Sequence, residues 1–290
     1  MAKIKILTDS ACDITDEQEQ SLGIHIIPFK VTVGDVGYTS RVDFDNSRFY
    51  EIMDAYEGIP ATSQVMSFEY VEVFRALAEE GYTDIINIII SSTGSNTYNN
   101  AVFAKDQFFQ EYPQYAGKIE IHNIDSRNYT GVYGYAVIQA AQKALKGASV
   151  GEILAFVQDW IDNAYVIFAP FNLKYAKKSG RISVAAAFVG EVLGLKPIIK
   201  IADGVSSILE KVRGDKAVIP KIIDIASKEM IPQTPYSIMW GSDAALRDEI
   251  AQAMTKKVGY PPADFFQVGA AVACNAGHKV AGLVIKGRNR

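Results

Sequence analysis

The sequence predicts an α/β protein, and three observations carry that reading. Residues 84–90, DIINIII, form a nearly continuous β-branched apolar run. A strand without polar alternation is buried on both faces, as in a parallel sheet. Strand-like runs are repeatedly followed by loops rich in Ser, Thr and Asp and then by helix-patterned segments, the order of βαβ units. Finally, an apolar fraction of 49% and a charged fraction of 21% provide an ample soluble core. The 290 residues suit one large domain or two ordinary ones. Gly147 and a capping box at Ser149 set the expected boundary, giving domains over 1–148 and 149–290.

Taken in order, Lys3–Leu7 reads as a strand and TDSACDIT as a polar loop. Thr15 with Gln18 forms a capping box for a helix toward Leu22. Ile24–Val33 is strand-like and GDVGY a turn. Asp45 caps a helix running to Glu57, with Gly58 as its stop. IPATSQVMS is a loop, and Phe68–Glu80 has helical periodicity. After the central strand, SSTGSNT leads into a helix beginning TYNNAVFAK. Lys118–Ile124 is a strand, DSRNYTG a loop and Val132–Lys146 a helix. The second region holds a helix to Asn163, a strand over Tyr165–Ala169, the basic turn LKYAKKSGRIS and an apolar helical segment over Val184–Leu195. A hairpin turns at Asp203-Gly204. Lys216–Glu229 is helical, with Pro220 near its first turn. Tyr236–Trp240, Ala244–Lys257, Asp264–Val268 and Val280–Lys286 complete a strand–helix–strand–strand pattern.

A net charge of −4 argues against a general nucleic-acid binder. The charge is uneven: residues 1–60 hold five Lys/Arg against eleven Asp/Glu, and residues 171–221 ten against four. Cys12 and Cys274 are the only cysteines, and with His25, His122 and His278 they give neither metal-ligand spacing nor a disulfide framework. No cofactor is expected. The N-terminus enters a strand without a secretory apolar core, and no apolar run reaches the roughly 18 residues that span a bilayer. These features predict a cytoplasmic setting.

Four hydroxyl-rich loops begin at Thr8, Ala61, Ser91 and Asp125, and three of them follow strands directly. In an open α/β sheet such loops share the carboxyl edge, where ligands bind. After the central strand, hydroxyls and unpaired helix N–H groups favour an anionic or carbonyl oxygen. Capping of the helix by Ser95 is the alternative. No G-x-x-x-x-G-K-[ST] or early G-x-G-x-x-G is present, so Walker and dinucleotide sites are disfavoured. T-G-S-N-T lacks the second glycine of a hydrolase elbow. A triad of Ser95 with His122 or His278 stays open as a serine hydrolase reading, as does a binder of another acidic metabolite.

ILTDSACD, PATSQ, SSTGSNTYNNA, the DS at Asp125–Ser126, KKSGRIS, LKPI…DG…KVRG and a glycine-bearing C-terminal strand occur in the order seen in the DegV family. Over nearly its full length the chain resembles that family. The resemblance implies two α/β domains with a fatty acid in a tunnel between them. It also implies a carrier, not an enzyme, that presents a long-chain fatty acid to a separate fatty acid kinase. The family's T-S-Q corresponds to Thr62, Ser63 and Gln64, and its L-S-G-T-Y to Gly94, Ser95, Asn96, Thr97 and Tyr98. This points to Thr62 and Ser95 as carboxylate ligands, with Ser63 and Asn96 beside them. G-G-R-I matches Ser179, Gly180, Arg181 and Ile182, and the basic hairpin end matches Arg213. Arg181 and Arg213 are the expected partner-facing residues.

Three departures stand out. Gly94 replaces leucine and Asn96 replaces glycine in the central motif. Near the C-terminus H-T-G-P-G aligns with Asn275, Ala276, Gly277, His278 and Lys279, so Asn275 holds the histidine position and His278 the proline position. Both are expected at the ligand, and the kinase step is expected to suffer. The apolar segment Val184–Leu195, with Phe168 and Phe171, is either the tunnel lining or an ordinary core helix.

Overall fold

The computed structural model describes residues 2–188 and 194–288. In chain order the elements are β1 (Ile4–Asp9), α1 (Asp16–Leu22), β2 (His25–Ile27), β3 (Lys30–Val33), β4 (Val36–Thr39), α2 (Asn46–Ala55), β5 (Ala61–Ser63) and α3 (Ser67–Glu79). Next come β6 (Asp84–Ile89), α4 (Thr97–Glu111), β7 (Glu120–Asp125), α5 (Gly131–Leu145), α6 (Val150–Asn163), β8 (Ala164–Pro170) and α7 (Lys174–Ser179). A 3₁₀ turn over Ser183–Phe188 precedes β9 (Leu195–Ala202) and β10 (Val205–Arg213). The chain ends with α8 (Val218–Glu229), β11 (Ser237–Trp240), α9 (Ala244–Val258), β12 (Asp264–Gln267), α10 (Ala270–Ala276) and β13 (Val280–Lys286).

The strands make three sheets. One is wholly parallel, in the order β2-β1-β6-β7. Its central strand is buried from Ile85 onward. The one polar residue there, Asn87, donates to Asn123 Oδ1 at 2.8 Å, and Asn123 donates to Ala101 O at 2.9 Å; Asn87 Oδ1 has no partner among the described residues. The second sheet runs β10-β9-β8-β13-β11-β12 and is antiparallel except for β11 beside β12. A small sheet, β4-β3-β5, completes the set.

Alternation along β8 divides the core. Val166 and Phe168 join the large cluster that runs through both halves of the chain. Tyr165, Ile167 and Ala169 face the opposite side, against apolar residues of α8 and α9.

Local chemistry accounts for most boundaries. The capping boxes at Thr15/Gln18 and Ser149/Glu152 are both formed, and Asp45 caps α2 through the Arg48 N–H. Asp203 and Gly204 have φ of 52° and 72°, the two left-handed residues of a tight hairpin turn.

Several stretches differ from expectation, among them GDVGY, of which only the first two residues turn while Val36–Tyr38 belong to β4. Ile24–Val33 is broken at Pro28 into β2 and β3, which belong to different sheets. Residues 61–63 form β5 against β3 where a loop was expected. LKYAKKS contains the helix α7, and AAVACNA forms α10 between the last two strands. Of the segment Val184–Leu195, residues 189–193 lie outside the described residues.

Candidate functional site

Because β1, β6 and β7 run parallel, the loops after them meet at one edge, tied together by the buried Asp9 and the half-buried Asp125. Asp9, the last residue of β1, accepts from Ile90 N at 2.8 Å, Ala11 N at 3.0 Å and the Tyr133 hydroxyl at 2.7 Å. Burial pushes its carboxyl up to about 6 against these bonds. Asp125, ending β7, accepts from Ser92 N at 3.1 Å, from Arg127 N at 2.9 Å and from the Ser92 hydroxyl.

The tip of the β9–β10 hairpin closes onto these loops. Thr93 Oγ1 donates to Gly204 O at 3.2 Å, and Arg127 pairs with Asp203 at 3.1 Å. A Cβ at Gly204 would lie 2.3 Å from Thr93 Oγ1, and its φ is 72°, so glycine is required twice over.

Between the loops and the second sheet lies a cavity of about 620 Å³. Its apolar lining includes Phe29, Ile90, Val166, Phe168, Ile201 and Met239 with Val268, Ala271, Val272 and Val280. Its polar lining includes Thr62, Gln64, Ser92, Thr93, Ser95, Asn96 and Tyr129. The hydroxyls on it are not equivalent. Ser92 and Thr93 spend their hydrogens on Asp125 and Gly204 O. Thr62 makes no hydrogen bond through its side chain among the described residues, and Ser95 bonds only to Thr97. Thr62 and Ser95 therefore keep capacity for a ligand, as does Thr130, which also lines the cavity and whose buried Oγ1 has no partner among the described residues.

The expected site residues separate into two groups. Thr62, Ser95, Asn96, Arg181 and Asn275 all line the cavity. Ser63 is absent from its lining, because alternation along β5 turns Thr62 inward and leaves Ser63 exposed. Asn96 is the N-cap of α4, the position that the alternative reading gave to Ser95, and its side chain bonds Asn99 and Asn100. Asn275 sits on α10 and donates to Ala271 O at 2.9 Å.

His278 points elsewhere. Residues 275–278 are not extended; α10 ends at Ala276, and Gly277 turns the chain at φ 81°. His278 is 3% exposed, with Nδ1 2.9 Å from Ser242 Oγ, Nε2 2.8 Å from Asp54 Oδ1 and its ring stacked on Tyr50. Arg181 stands exposed at the rim, whereas Arg213 lies nine residues along β10 from Gly204, roughly 30 Å for an extended strand.

Phe168 lines the cavity, but Phe171 packs against the second core. Neither His122, near Asp84 at 3.6 Å, nor His278 bonds Ser95, so no catalytic triad is assembled there.

Two residues of consequence carry no distinctive sequence signal. Thr97 is a first-turn threonine, fully buried behind Ser95. Asp13, in the left-handed region at φ 57°, accepts from Gly269 N at 2.9 Å and so anchors the start of α10. Its spacing from Asp9 in TDSACD was the available hint. Among the described residues no helix is long and apolar enough to cross a membrane.

Comparison with known proteins places this geometry among relatives. A family model described as "Uncharacterised protein, DegV family" matches residues 3–287. A DegV domain-containing protein of Caldanaerobacter subterraneus is 31% identical over 286 residues, 98% of each chain. Another from Clostridium acetobutylicum is 30% identical over 285 residues, again 98% of each. A solved stearic acid-binding protein from Eubacterium ventriosum is 26% identical and superposes with a TM-score of 0.87, covering 99% of this chain and 98% of that one. The solved DegV of Bacillus subtilis, titled a fatty acid binding protein, is 24% identical with a TM-score of 0.83 over 98% and 99% of the two chains, a likeness of fold.

Proposed function

The chain belongs to the DegV family, and from that premise we propose that it binds a long-chain fatty acid and carries it without chemically altering it. One observation carries the reading: a largely apolar lining surrounds a cavity into which the hydroxyls of Thr62 and Ser95 bring hydrogen-bonding capacity. Its volume of about 620 Å³ falls within the roughly 300–1,000 Å³ of small-molecule sites. The stearic acid bound by the Eubacterium ventriosum relative supports the same ligand class.

Affinity and orientation come from different parts of the site. About fifteen methylenes at ~0.8 kcal/mol each offer on the order of 12 kcal/mol of gross transfer energy. Loss of ligand freedom removes a large share of it. Each hydroxyl bond to the carboxylate adds only about 1.5–3 kcal/mol and fixes the direction of the chain.

On this reading residues 1–148 supply the head-group loops and residues 149–290 cover the acyl chain, in a cytoplasmic protein. The carrier presents the carboxyl group to a fatty acid kinase, with Arg181 at the rim and Arg213 on the basic hairpin steering the partner. Asn275, which is not ionisable near neutral pH, leaves binding intact but supports phosphoryl transfer poorly.

Delipidated protein titrated with a fluorescent fatty acid tests the proposal. Saturable one-to-one binding, displaced by unlabelled fatty acid, is the expected result. A burst of product from an activated ester at Ser95, without such binding, would favour a hydrolase.

A further inference from the structure

We propose that Thr97 is a positioning residue that makes Ser95 an obligate hydrogen-bond donor toward the cavity and holds the segment that follows Thr62 and β5 beside it. The inference rests on the fatty-acid reading of the site. Thr97 is the first residue of α4 and is fully buried. Its Oγ1 accepts from Val65 N at 3.2 Å and lies 2.8 Å from Ser95 Oγ. One turn further along α4, Asn100 donates to Val65 O at 2.7 Å. The helix thus grips both backbone polar groups of Val65, three residues beyond Thr62.

The direction of the Ser95–Thr97 bond follows from counting. A threonine hydroxyl has one hydrogen and two lone pairs. If Ser95 donated to Thr97, the Thr97 hydrogen would need another acceptor, and among the described residues it has none. Leaving a buried hydrogen unpaired costs the full desolvation of that group. Thr97 therefore donates to Ser95.

Ser95 Oγ also accepts from Thr97 N at 3.3 Å, so both of its lone pairs are engaged. Only its hydrogen remains, and the open direction is the cavity. A site built this way takes an acceptor-only head group, an ionised carboxylate, in preference to one that must donate.

The test compares delipidated wild type, Ser95→Ala, Thr97→Val and Thr97→Ser, each titrated with palmitic acid and with 1-hexadecanol. Valine keeps the shape of threonine and removes the hydroxyl; serine keeps the hydroxyl. The expected result is a loss of roughly tenfold in palmitate affinity for Thr97→Val. The loss for hexadecanol is several-fold smaller, and Thr97→Ser binds both like wild type. Equal losses for acid and alcohol would mean general loosening and overturn the proposal, as would a Thr97→Ser as weak as the valine variant. Palmitate binding by wild type that falls in Ser95→Ala but not in Thr97→Val would also overturn it, with the fatty-acid reading intact. Absence of palmitate binding by wild type would instead remove the fatty-acid reading itself.

Discussion

Replacing Asp13 by Asn should flatten the dependence of stability on pH. Asp13 is buried beside Asp9 and faces Thr130, Arg41 and the Gly269 N–H, and burial pushes its carboxyl up to about 7. An unfolded Asp titrates near ~3.9. The folded state therefore holds a proton that the unfolded state has lost, and stability falls as pH rises through that window. The contribution is fully present below about pH 4 and gone above the folded value. Between pH 5 and pH 8 the difference amounts to roughly 3 kcal/mol from this group. Asp9, pushed up to about 6 by burial, adds a smaller loss of the same sign.

Asparagine isolates the charge, because it tolerates the left-handed backbone at φ 57° and its Oδ1 still accepts from Gly269 N. Urea unfolding of wild type and Asp13→Asn at the two pH values measures the effect. The wild type should lose about 3 kcal/mol more than the variant on going from pH 5 to pH 8. Equal losses in both proteins would refute the reasoning, and would mean that Asp13 stays ionised in the fold.

The site itself yields two further expectations. Ser95→Ala and Thr62→Val should each weaken fatty-acid binding by ~10-fold or more, the value of one hydrogen bond to a charged group, while circular dichroism shows an unchanged fold. Unchanged affinity in both variants would put the head group elsewhere. In a coupled assay with a fatty acid kinase, the native protein should support little acyl-phosphate formation and Asn275→His should raise it. Native turnover equal to that of a relative bearing the histidine would contradict the role given to Asn275.

Much of the fold was legible because local chemistry and tertiary structure agree. DIINIII reads as a doubly buried strand and is one, and the capping residues Thr15, Asp45 and Ser149 do what their neighbours in sequence imply. Signals failed where an element depends on distant partners. β5 is three residues long and exists only because β3 offers it a ladder. α10 is built of small residues without a clear apolar stripe, and it is held by Asp13 at one end and followed by the His278–Asp54 pair at the other.

The site behaved likewise. Motif order pointed to Thr62, Ser95 and Asn275, which share the cavity. Whether a neighbouring side chain faces the cavity depends on strand alternation at Ser63 and on the turn at Gly277 before His278. Neither is set by residue type alone. Thr97 could not be singled out, because its importance lies in which lone pairs are already occupied.

Native mass spectrometry of the protein purified from a bacterial host tests the central claim most directly. Gentle ionisation should show the chain with one retained mass of a long-chain fatty acid, lost on delipidation and regained on incubation with palmitate. A chain that emerges unliganded and takes up no fatty acid on incubation would contradict the account.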